Sequence, residues 1–305
     1  MQKYSIFNLI KNAFSKHQNW DLAWKDPTPK KEYDVVIIGG GGHGLATAYY
    51  LAKEHNITNV AIIEKGWIGG GNVGRNTTII RSNYMHDDNA LFSEFGMDLW
   101  RKMSQDLNYN VMFSPRGIIN LAHSDAQMNV YARRGNSMRL NGIDAVLLNR
   151  EEVKEIIPMA DFSDNVRFPI FGGLMQPSAG TARHDAVAWG YARQADSMGV
   201  DIIQNCEVTG FDTSGGKING VRTSRGDIKV KKIGLCVAGS TNALAEKLNM
   251  TLPVETHLLQ ACVSEPVKPV LDRVVTFGAG HFYISQSDKG EMVMGGDLDG
   301  YNSYA

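Results

Sequence analysis

The sequence predicts an α/β fold in which helices and strands are mixed: a Rossmann-like domain interleaved along the chain with a domain built on an antiparallel sheet. A strand, a glycine-rich turn, a helix and a second strand follow one another within residues 35–63, which is the order of a parallel βαβ unit. Short alternating strands bounded by turn residues recur in 111–121 and 251–304, as in antiparallel sheets. A helix followed by short apolar strands returns in 185–238, so we expect neither domain to be continuous in sequence.

The composition is that of a globular protein of about two domains. The 305 residues include 31 Lys and Arg against 32 Asp and Glu, which leaves a net charge of −1 and no electrostatic reason to expect nucleic acid as a partner. No apolar run reaches the roughly 18 residues that span a membrane. Three cysteines without CxxC spacing exclude a disulfide framework and a cysteine-rich metal site. We expect a cytoplasmic protein that binds no membrane and no metal ion.

Residues 1–33 are predicted to form an N-terminal arm and linker. The apolar stretch from Tyr4 to Ile10 lacks a small-residue cleavage site, which argues against a secretory signal and favours a short surface helix or a subunit-docking arm. The two domains then receive two stretches each: 34–100 with 180–250 for the Rossmann-like domain, and 101–179 with 251–305 for the antiparallel-sheet domain.

The first βαβ unit carries a dinucleotide-binding motif. After the apolar strand Val35–Ile38, Gly39, Gly41 and Gly44 give the G-x-G-x-x-G spacing. These glycines allow a tight turn, the approach of a pyrophosphate and close packing of helix on strand, and the helix N-terminus favours phosphate. Glu64 follows the second strand, twenty residues after Gly44. A carboxylate there accepts hydrogen bonds from ribose hydroxyls and disfavours a 2′-phosphate.

A second glycine cluster after Glu64 distinguishes FAD from NAD. A simple NAD dehydrogenase would continue into a helix and a third strand, whereas this chain continues into a loop rich in hydrogen-bond donors. The loop offers donors at Gly71, Asn72, Arg75, Asn76, Thr77 and Thr78. Such a loop can hold a diphosphate from its second side and run beside a flavin ring. The sequence therefore predicts FAD.

Local patterns predict several further elements. The run 111–121 reads as two strands on either side of a turn at Pro115–Gly117. Asn149 with Glu152 three residues later predicts a capped helix start. The stretch Ile233–Ala238 reads as a separate strand that returns to the Rossmann-like domain.

Several motifs together resemble the β subunits of heterotetrameric sarcosine oxidases, within the FAD-dependent amine oxidase group. The likeness is carried by GGGGHGLATAYYLAKEH, NVAIIEKGWIGGGNVGRNTTIIRSNY, QPSAGTARHDAVAWGYARQADSMGVDIIQNCEVTGF and YISQSDKGEMVMGGDLDGYNSY. It covers nearly the whole chain from about Trp24 onward. Family members continue beyond Ala305, so the resemblance implies that this chain is truncated at its C-terminus.

The resemblance implies a role for several residues. His184 matches the histidine that family members link covalently to the 8α-methyl of FMN. Arg81 matches the arginine with which single-flavin relatives bind the substrate carboxylate, and the nearby Asn83 and Tyr84 are expected to line the same pocket. Non-covalent FAD contacts are implied, in addition to those above, at Gly42, His43, Lys65, Ile79, Val208 and Gly239.

The function implied by the resemblance is the oxidation of sarcosine, or a similar small secondary amine, to glycine and a one-carbon unit. Electrons would pass from FAD to FMN, and the chain would be the β subunit of an assembly with α, γ and δ subunits. Two alternatives remain: a subunit of a dehydrogenase of proline or another secondary amino acid, and a non-catalytic flavin-binding subunit. Substrate-dependent reduction of the flavin separates the enzymes from the non-catalytic subunit, and comparing sarcosine with proline separates the two enzymes.

Overall fold

The computed structural model describes residues 5–18, 20, 22–278 and 282–298. The helices in these residues are α1 (Ile6–Phe14), α2 (Gly42–His55), α3 (Asp87–Asp106), α4 (Asp125–Leu140), α5 (Arg150–Ile156), α6 (His184–Ser197) and α7 (Thr241–Ala245). The strands are β1 (Glu32–Ile38), β2 (Val60–Ile63), β3 (Ile79–Ile80), β4 (Ile118–Ala122), β5 (Val146–Asn149), β6 (Gly172–Gln176), β7 (Gly180–Thr181), β8 (Asp201–Ile203), β9 (Val208–Ser214), β10 (Lys217–Thr223), β11 (Gly226–Leu235), β12 (Leu259–Pro266), β13 (Val274–Phe277), β14 (Phe282–Gln286) and β15 (Glu291–Leu298). None of the described helices is both long enough and apolar enough to cross a membrane.

The chain separates into two compact units, and each draws on stretches that are distant in sequence. The first unit takes in the described residues of 1–40, 44–67 and 192–234, and the second those of 41–43, 68–191 and 235–305. The interleaving follows from strand order, because the chain leaves the first sheet after β2 and returns to it at β8. The predicted division into FAD-binding and substrate-binding stretches stays a prediction.

The first unit is organised around a six-stranded sheet in the order β8-β2-β1-β11-β10-β9. β1 and β2 are parallel, with Ile37 opposite Ile62, and β2 is parallel to β8. Ile37 and Ile62 are completely buried, as expected for parallel strands that are covered on both faces. β9, β10 and β11 form an antiparallel meander that continues the same sheet from β1 to its other edge. The predicted βαβ unit is therefore confirmed.

The second unit contains a seven-stranded sheet in the order β12-β15-β14-β13-β4-β6-β5. Its neighbouring strands are antiparallel except for β13 and β4, which are parallel. Helices α4 and α5 both pack on β6, and Ile119, Leu148 and Val153 belong to the buried cluster beneath α5. Together the two sheets confirm the predicted mixed α/β fold with an antiparallel-sheet domain.

Two local predictions are wrong for identifiable reasons. The first half of the 111–121 pair is not a strand, because Met112 has a left-handed φ of +54° and its N–H donates to Asn110 Oδ1 at 2.8 Å. Ser114 forms only a single bridge, to Thr181. The predicted strand Ile233–Ala238 is not separate either, since β11 runs without a break from Gly226 to Leu235. β11 has a neighbouring strand on each side, because β1 lies beside it on the side opposite β10.

The predicted capped helix start at Asn149 is confirmed. Asn149 Oδ1 accepts a hydrogen bond from the Glu152 N–H at 3.0 Å, and Glu152 Oε2 accepts one from the Asn149 N–H at 2.7 Å. This reciprocal pair is a capping box, which satisfies two of the N–H groups that have no partner inside a helix.

Candidate active site

The glycine turn between β1 and α2 has the geometry that its motif predicts. Gly39 has a φ of +105°, and its N–H donates to Ile63 O at 2.8 Å. A Cβ on Gly44 would lie 2.0 Å from Gly39 O, so the fold itself requires glycine there. A Cβ on Gly41 would meet no atom within 4 Å. Glycine at position 41 therefore keeps open a space that a side chain would fill, which fits the close approach of a diphosphate.

Glu64 is fixed at the end of β2 by the residues around it. Its Oε2 accepts a hydrogen bond from the Gly40 N–H, and its Oε1 accepts one from the Gly66 N–H, both at 2.8 Å. A carboxylate has about four acceptor sites, so capacity remains for sugar hydroxyls. In the same unit, Val208 begins β9 and is buried, whereas the side chain of Lys65 is exposed.

The donor-rich loop has a defined shape between Gly71 and Thr78. Gly71 precedes a single 3₁₀ turn that ends at Arg75. Thr78 has a left-handed φ of +62°, and Asn76 Oδ1 stabilises this conformation by accepting from the Thr78 N–H at 2.6 Å. Arg75 is exposed and pairs with no acid among the described residues. The loop thus presents the exposed guanidinium of Arg75, while Asn72, Asn76 and Thr77 are exposed or partly exposed.

A two-stranded ladder links this loop to the segment that carries His184. Ile79 pairs with Thr181 and Ile80 with Gly180. The Ala182 N–H also donates to Thr78 O at 3.3 Å. Arg81 follows the first strand of the ladder and His184 follows the second. Because the two strands are antiparallel, the two residues leave the ladder at opposite ends.

Arg81 is held by its neighbours but has no acidic partner among the described residues. Its Nη1 donates to Asn83 Oδ1 at 2.5 Å, and its guanidinium carbon lies 4.6 Å from the centre of the Tyr84 ring. No carboxylate of the described residues lies within ion-pair distance of it. A half-buried guanidinium without a counter-ion is suited to bind the carboxylate of a ligand.

His184 is the first residue of α6 and is partly exposed. Its ring nitrogens make no hydrogen bond to another residue in the described part of the chain. Arg183 and Asp185 on either side of it form a two-pronged ion pair, with Nη2–Oδ2 at 2.6 Å and Nε–Oδ1 at 3.0 Å. Burial alone would raise the pKa of Asp185, but hydrogen bonds from Arg183 and from the Ala186 N–H outweigh it and lower that pKa.

The remaining predicted residues occupy separate positions. Gly42 and His43 are the first two residues of α2, and Gly239 lies in a 3₁₀ turn before α7, where its carbonyl accepts from Thr256 Oγ1 at 3.3 Å.

Across the described ranges no group of three or more His, Cys, Asp or Glu side chains is arranged to hold a metal ion.

Sequence reasoning did not find Arg134 and Asn120, which both contact Asn83. Arg134 Nε donates to Asn83 O at 2.7 Å, and Asn120 Oδ1 accepts from Asn83 Nδ2 at 2.7 Å. These residues are 51 and 37 positions away from Asn83. No local pattern in the sequence signals contacts over such separations.

Comparisons with known proteins identify the family of the chain. Residues 34–304 match the family described as "FAD dependent oxidoreductase". The chain is 61% identical over 303 residues to the sarcosine oxidase subunit beta of Rhizobium meliloti, covering 99% of this chain and 73% of that protein. It is 52% identical over 305 residues to the subunit of the same name from Rhodobacter capsulatus, covering 100% of this chain and 73% of the relative.

A solved structure gives the same assignment of fold. The crystal structure of an L-proline dehydrogenase from P. horikoshii superposes with a TM-score of 0.83 at 26% identity, covering 90% of this chain and 72% of that one. With the family match and the two relatives, it identifies the chain as a member of the sarcosine oxidase β-subunit family and as an FAD-dependent amine oxidoreductase.

Proposed function

We propose that this chain oxidises sarcosine to glycine and a one-carbon unit as the β subunit of a multi-subunit oxidase. The observation that carries the proposal is the guanidinium of Arg81, which is oriented by Asn83, stacked on Tyr84 and free of any described acidic partner. Sarcosine is a small amine whose one permanent anionic group is a carboxylate, the group that an arginine binds best.

FAD would be held without a covalent bond by the glycine turn, by Glu64 and by the loop that ends at Thr78. The supporting observations are the open space at Gly41, the fixed carboxylate of Glu64 and the exposed Arg75, which pairs with no acid in the part of the chain that the structure describes. When bound, FAD supplies a two-electron acceptor, and FMN would take the electrons onward. The further contacts implied at Gly42, His43, Lys65, Ile79, Val208 and Gly239 are part of the same proposal.

The chain's own contribution to the reaction is to bind and orient the substrate. Arg81 would anchor the carboxylate, so that the N-methyl carbon is held in a single orientation. Oxidation removes a hydride equivalent, two electrons and one proton, from this carbon and gives an iminium ion, which becomes an imine when its nitrogen loses a proton. Water then adds to the imine, which separates into glycine and formaldehyde. No general base is required if the amine reaches the site without its extra proton.

His184 would carry FMN through a covalent bond. Its imidazole is partly exposed and has no hydrogen-bond partner among the described residues, so a ring nitrogen is available as a nucleophile. The Arg183–Asp185 pair on either side of it fixes the start of α6.

The partners would be the α, γ and δ subunits that the resemblance implies, and the name "subunit beta" of the relatives supports an assembly of several chains. Helix α1 supports a role in assembly because none of its residues is buried, and Phe7 and Phe14 are 77% and 86% exposed. Such an apolar face suits a groove on another chain. We also place the protein in the cytoplasm, which is supported by the free thiols of Cys206 and Cys262.

A second candidate substrate is proline, because the superposed enzyme from P. horikoshii is named an L-proline dehydrogenase. The experiment that tests the proposal is product analysis with the assembled enzyme. Consumption of sarcosine should yield equal amounts of glycine and of formaldehyde or a folate-bound one-carbon unit. Turnover of proline without turnover of sarcosine would reject sarcosine as the substrate.

A further inference from the structure

The Arg81 guanidinium lies at one end of a chain of hydrogen bonds through one buried side chain, Asn83, and two partly buried ones, Asn120 and Thr276. Arg81 Nη1 donates to Asn83 Oδ1, and Asn83 is only 1% exposed. Because a guanidinium can only donate, the Asn83 side chain must direct its oxygen to Arg81 and its NH₂ group away from it. The orientation of Asn83 is therefore set by the charge it faces.

The chain of hydrogen bonds continues from Asn83 through Asn120 to Thr276. Asn83 Nδ2 donates to Asn120 Oδ1 at 2.7 Å, and Asn120 Nδ2 donates to Thr276 Oγ1. The Thr276 hydroxyl then donates to Ile119 O at 3.4 Å. Each link fixes the direction of the next, because reversing one amide would place two donors or two acceptors in contact. The chain thus holds Asn83, and through it Arg81, in one orientation.

Arg134 brings a second positive charge to the same asparagine. Its Nε donates to Asn83 O at 2.7 Å, and its Nη2 donates to the same oxygen. Burial lowers the pKa of Arg134, and the positive charge of Arg81 lowers it further. Neither guanidinium has an acidic partner in the part of the chain that the structure describes, whereas Arg101 and Arg183 each contact two carboxylates. Two guanidinium groups that have no acidic partner among the described residues favour the binding of an anion.

We propose that Asn83 and Arg134 are positioning residues that make the Arg81 site specific for a carboxylate. Asn83 fixes the direction of the Arg81 guanidinium, while Arg134 holds the main chain of Asn83 and adds a second positive charge. The inference rests on the proposed function insofar as the natural ligand is the carboxylate of sarcosine. The physical claim is broader: an uncompensated pair of charges prefers a negatively charged ligand to a neutral one of the same shape.

The test measures specificity in the assembled holoenzyme with sarcosine and with its amide, which has the same shape without the charge. Asn83→Asp places a carboxylate against Arg81, and Arg134→Met removes the second charge. Each should reduce the preference for sarcosine over the amide, expressed as a ratio of kcat/KM, by about tenfold or more, mainly through the KM for sarcosine. Arg134→Lys should restore part of the preference.

Two controls separate charge from structure. Arg133→Met removes the neighbouring exposed arginine of α4 and should leave the ratio within about twofold of wild type. Thr276→Val breaks the far end of the hydrogen-bond chain without changing any charge. It should change the kcat/KM ratio of sarcosine to its amide by less than Asn83→Asp does. A ratio unchanged in Asn83→Asp and Arg134→Met overturns the proposal, as does an equal loss in Thr276→Val.

A binding measurement distinguishes a failure of the anion-site proposal from a failure of the proposed function. Titration of the holoenzyme with acetate, followed by calorimetry, should give binding in wild type and at least about tenfold weaker binding in Asn83→Asp. If wild type binds acetate in this way but does not oxidise sarcosine, the proposed substrate is wrong while the anion site stands. If acetate binds equally to both proteins, the anion site is wrong.

Discussion

Ile80 pairs with Gly180 in the short antiparallel ladder of β3 and β7, so Arg81 follows directly on one strand of this ladder and His184 lies three residues beyond the end of the other. The residue proposed to anchor the substrate and the residue proposed to carry FMN therefore belong to one hydrogen-bonded piece of structure. A ladder of this kind keeps the two segments in a constant register.

Replacement of Arg81 tests the substrate anchor. Arg81→Ala should raise the KM for sarcosine by about 10- to 100-fold, the effect expected for losing a charged two-pronged hydrogen bond. The FAD content, measured from the absorbance of the purified holoenzyme, should stay at the wild-type level. Arg133→Ala is the control and should change neither quantity. An unchanged KM in Arg81→Ala would remove this residue from the binding site.

Replacement of His184 tests the covalent flavin. Acid precipitation of the wild-type protein, produced together with its partner subunits, should leave yellow flavin in the pellet, and the pellet of His184→Ala should be colourless. His86→Ala changes an exposed histidine at the start of α3 and should keep the colour. A colourless wild-type pellet, or a yellow pellet from His184→Ala, contradicts the assignment.

Two glycines of the turn should respond differently to the same change. In Gly44→Ala the new Cβ would lie 2.0 Å from Gly39 O, so the backbone must shift, and we expect a loss of about 1–3 kcal/mol in the free energy of unfolding. In Gly41→Ala the Cβ meets no protein atom, so stability should be unchanged while FAD binds more weakly. Urea unfolding of the flavin-free protein and titration with FAD measure the two effects. Normal FAD affinity in Gly41→Ala would place the diphosphate elsewhere.

The pH dependence of stability should reveal the Arg183–Asp185 pair. Folding lowers the pKa of Asp185, so this carboxylate stabilises the fold above its unfolded pKa of about 3.9, and the stabilisation is lost as the pH falls through the lower folded value. Asp185→Asn should therefore cost about 1 kcal/mol at pH 7 and nothing at strongly acidic pH. Asp288→Asn, which alters the longer and more exposed 3.3 Å contact of Arg183, should cost less. The same loss for Asp185→Asn at both pH values would contradict the pairing.

The apolar face of α1 should matter for assembly and not for folding. Ile10→Asp changes an exposed residue of that face, so the melting temperature of the isolated chain should stay within about 1 °C. Association with the partner subunits, followed by size-exclusion chromatography, should be weakened. Asn12→Asp introduces the same charge on the polar face of the helix and should have no effect. Equal association of both variants would remove α1 from the interface.

The sequence predicts the local geometry of the glycine turn and of Glu64 well because its determinants are close together in the chain. The glycine spacing and the acid after β2 are separated by one βαβ unit, and the structure does bring Glu64 Oε2 to 2.8 Å from the Gly40 N–H. The capping box of Asn149 with Glu152 spans three residues and was predictable for the same reason. Short-range geometry follows from residue type and spacing.

The surroundings of Arg81 could not be predicted, because they depend on contacts between distant strands and helices. Asn83 meets Asn120 only through the packing of the second unit, and α4 brings Arg134 to it from 51 positions away. The error at Val111–Phe113 has a different origin. Its apolar run looks like a strand, but the Asn110 side chain stabilises a left-handed Met112 and so bends the chain.

The most direct test of the account is anaerobic mixing of the assembled holoenzyme with sarcosine while the flavin absorbance is recorded. Sarcosine should bleach the flavin, and it should do so faster than proline at the same concentration. A flavin that stays oxidised with sarcosine, or that proline reduces faster, would contradict the assignment of this chain as a sarcosine-oxidising subunit.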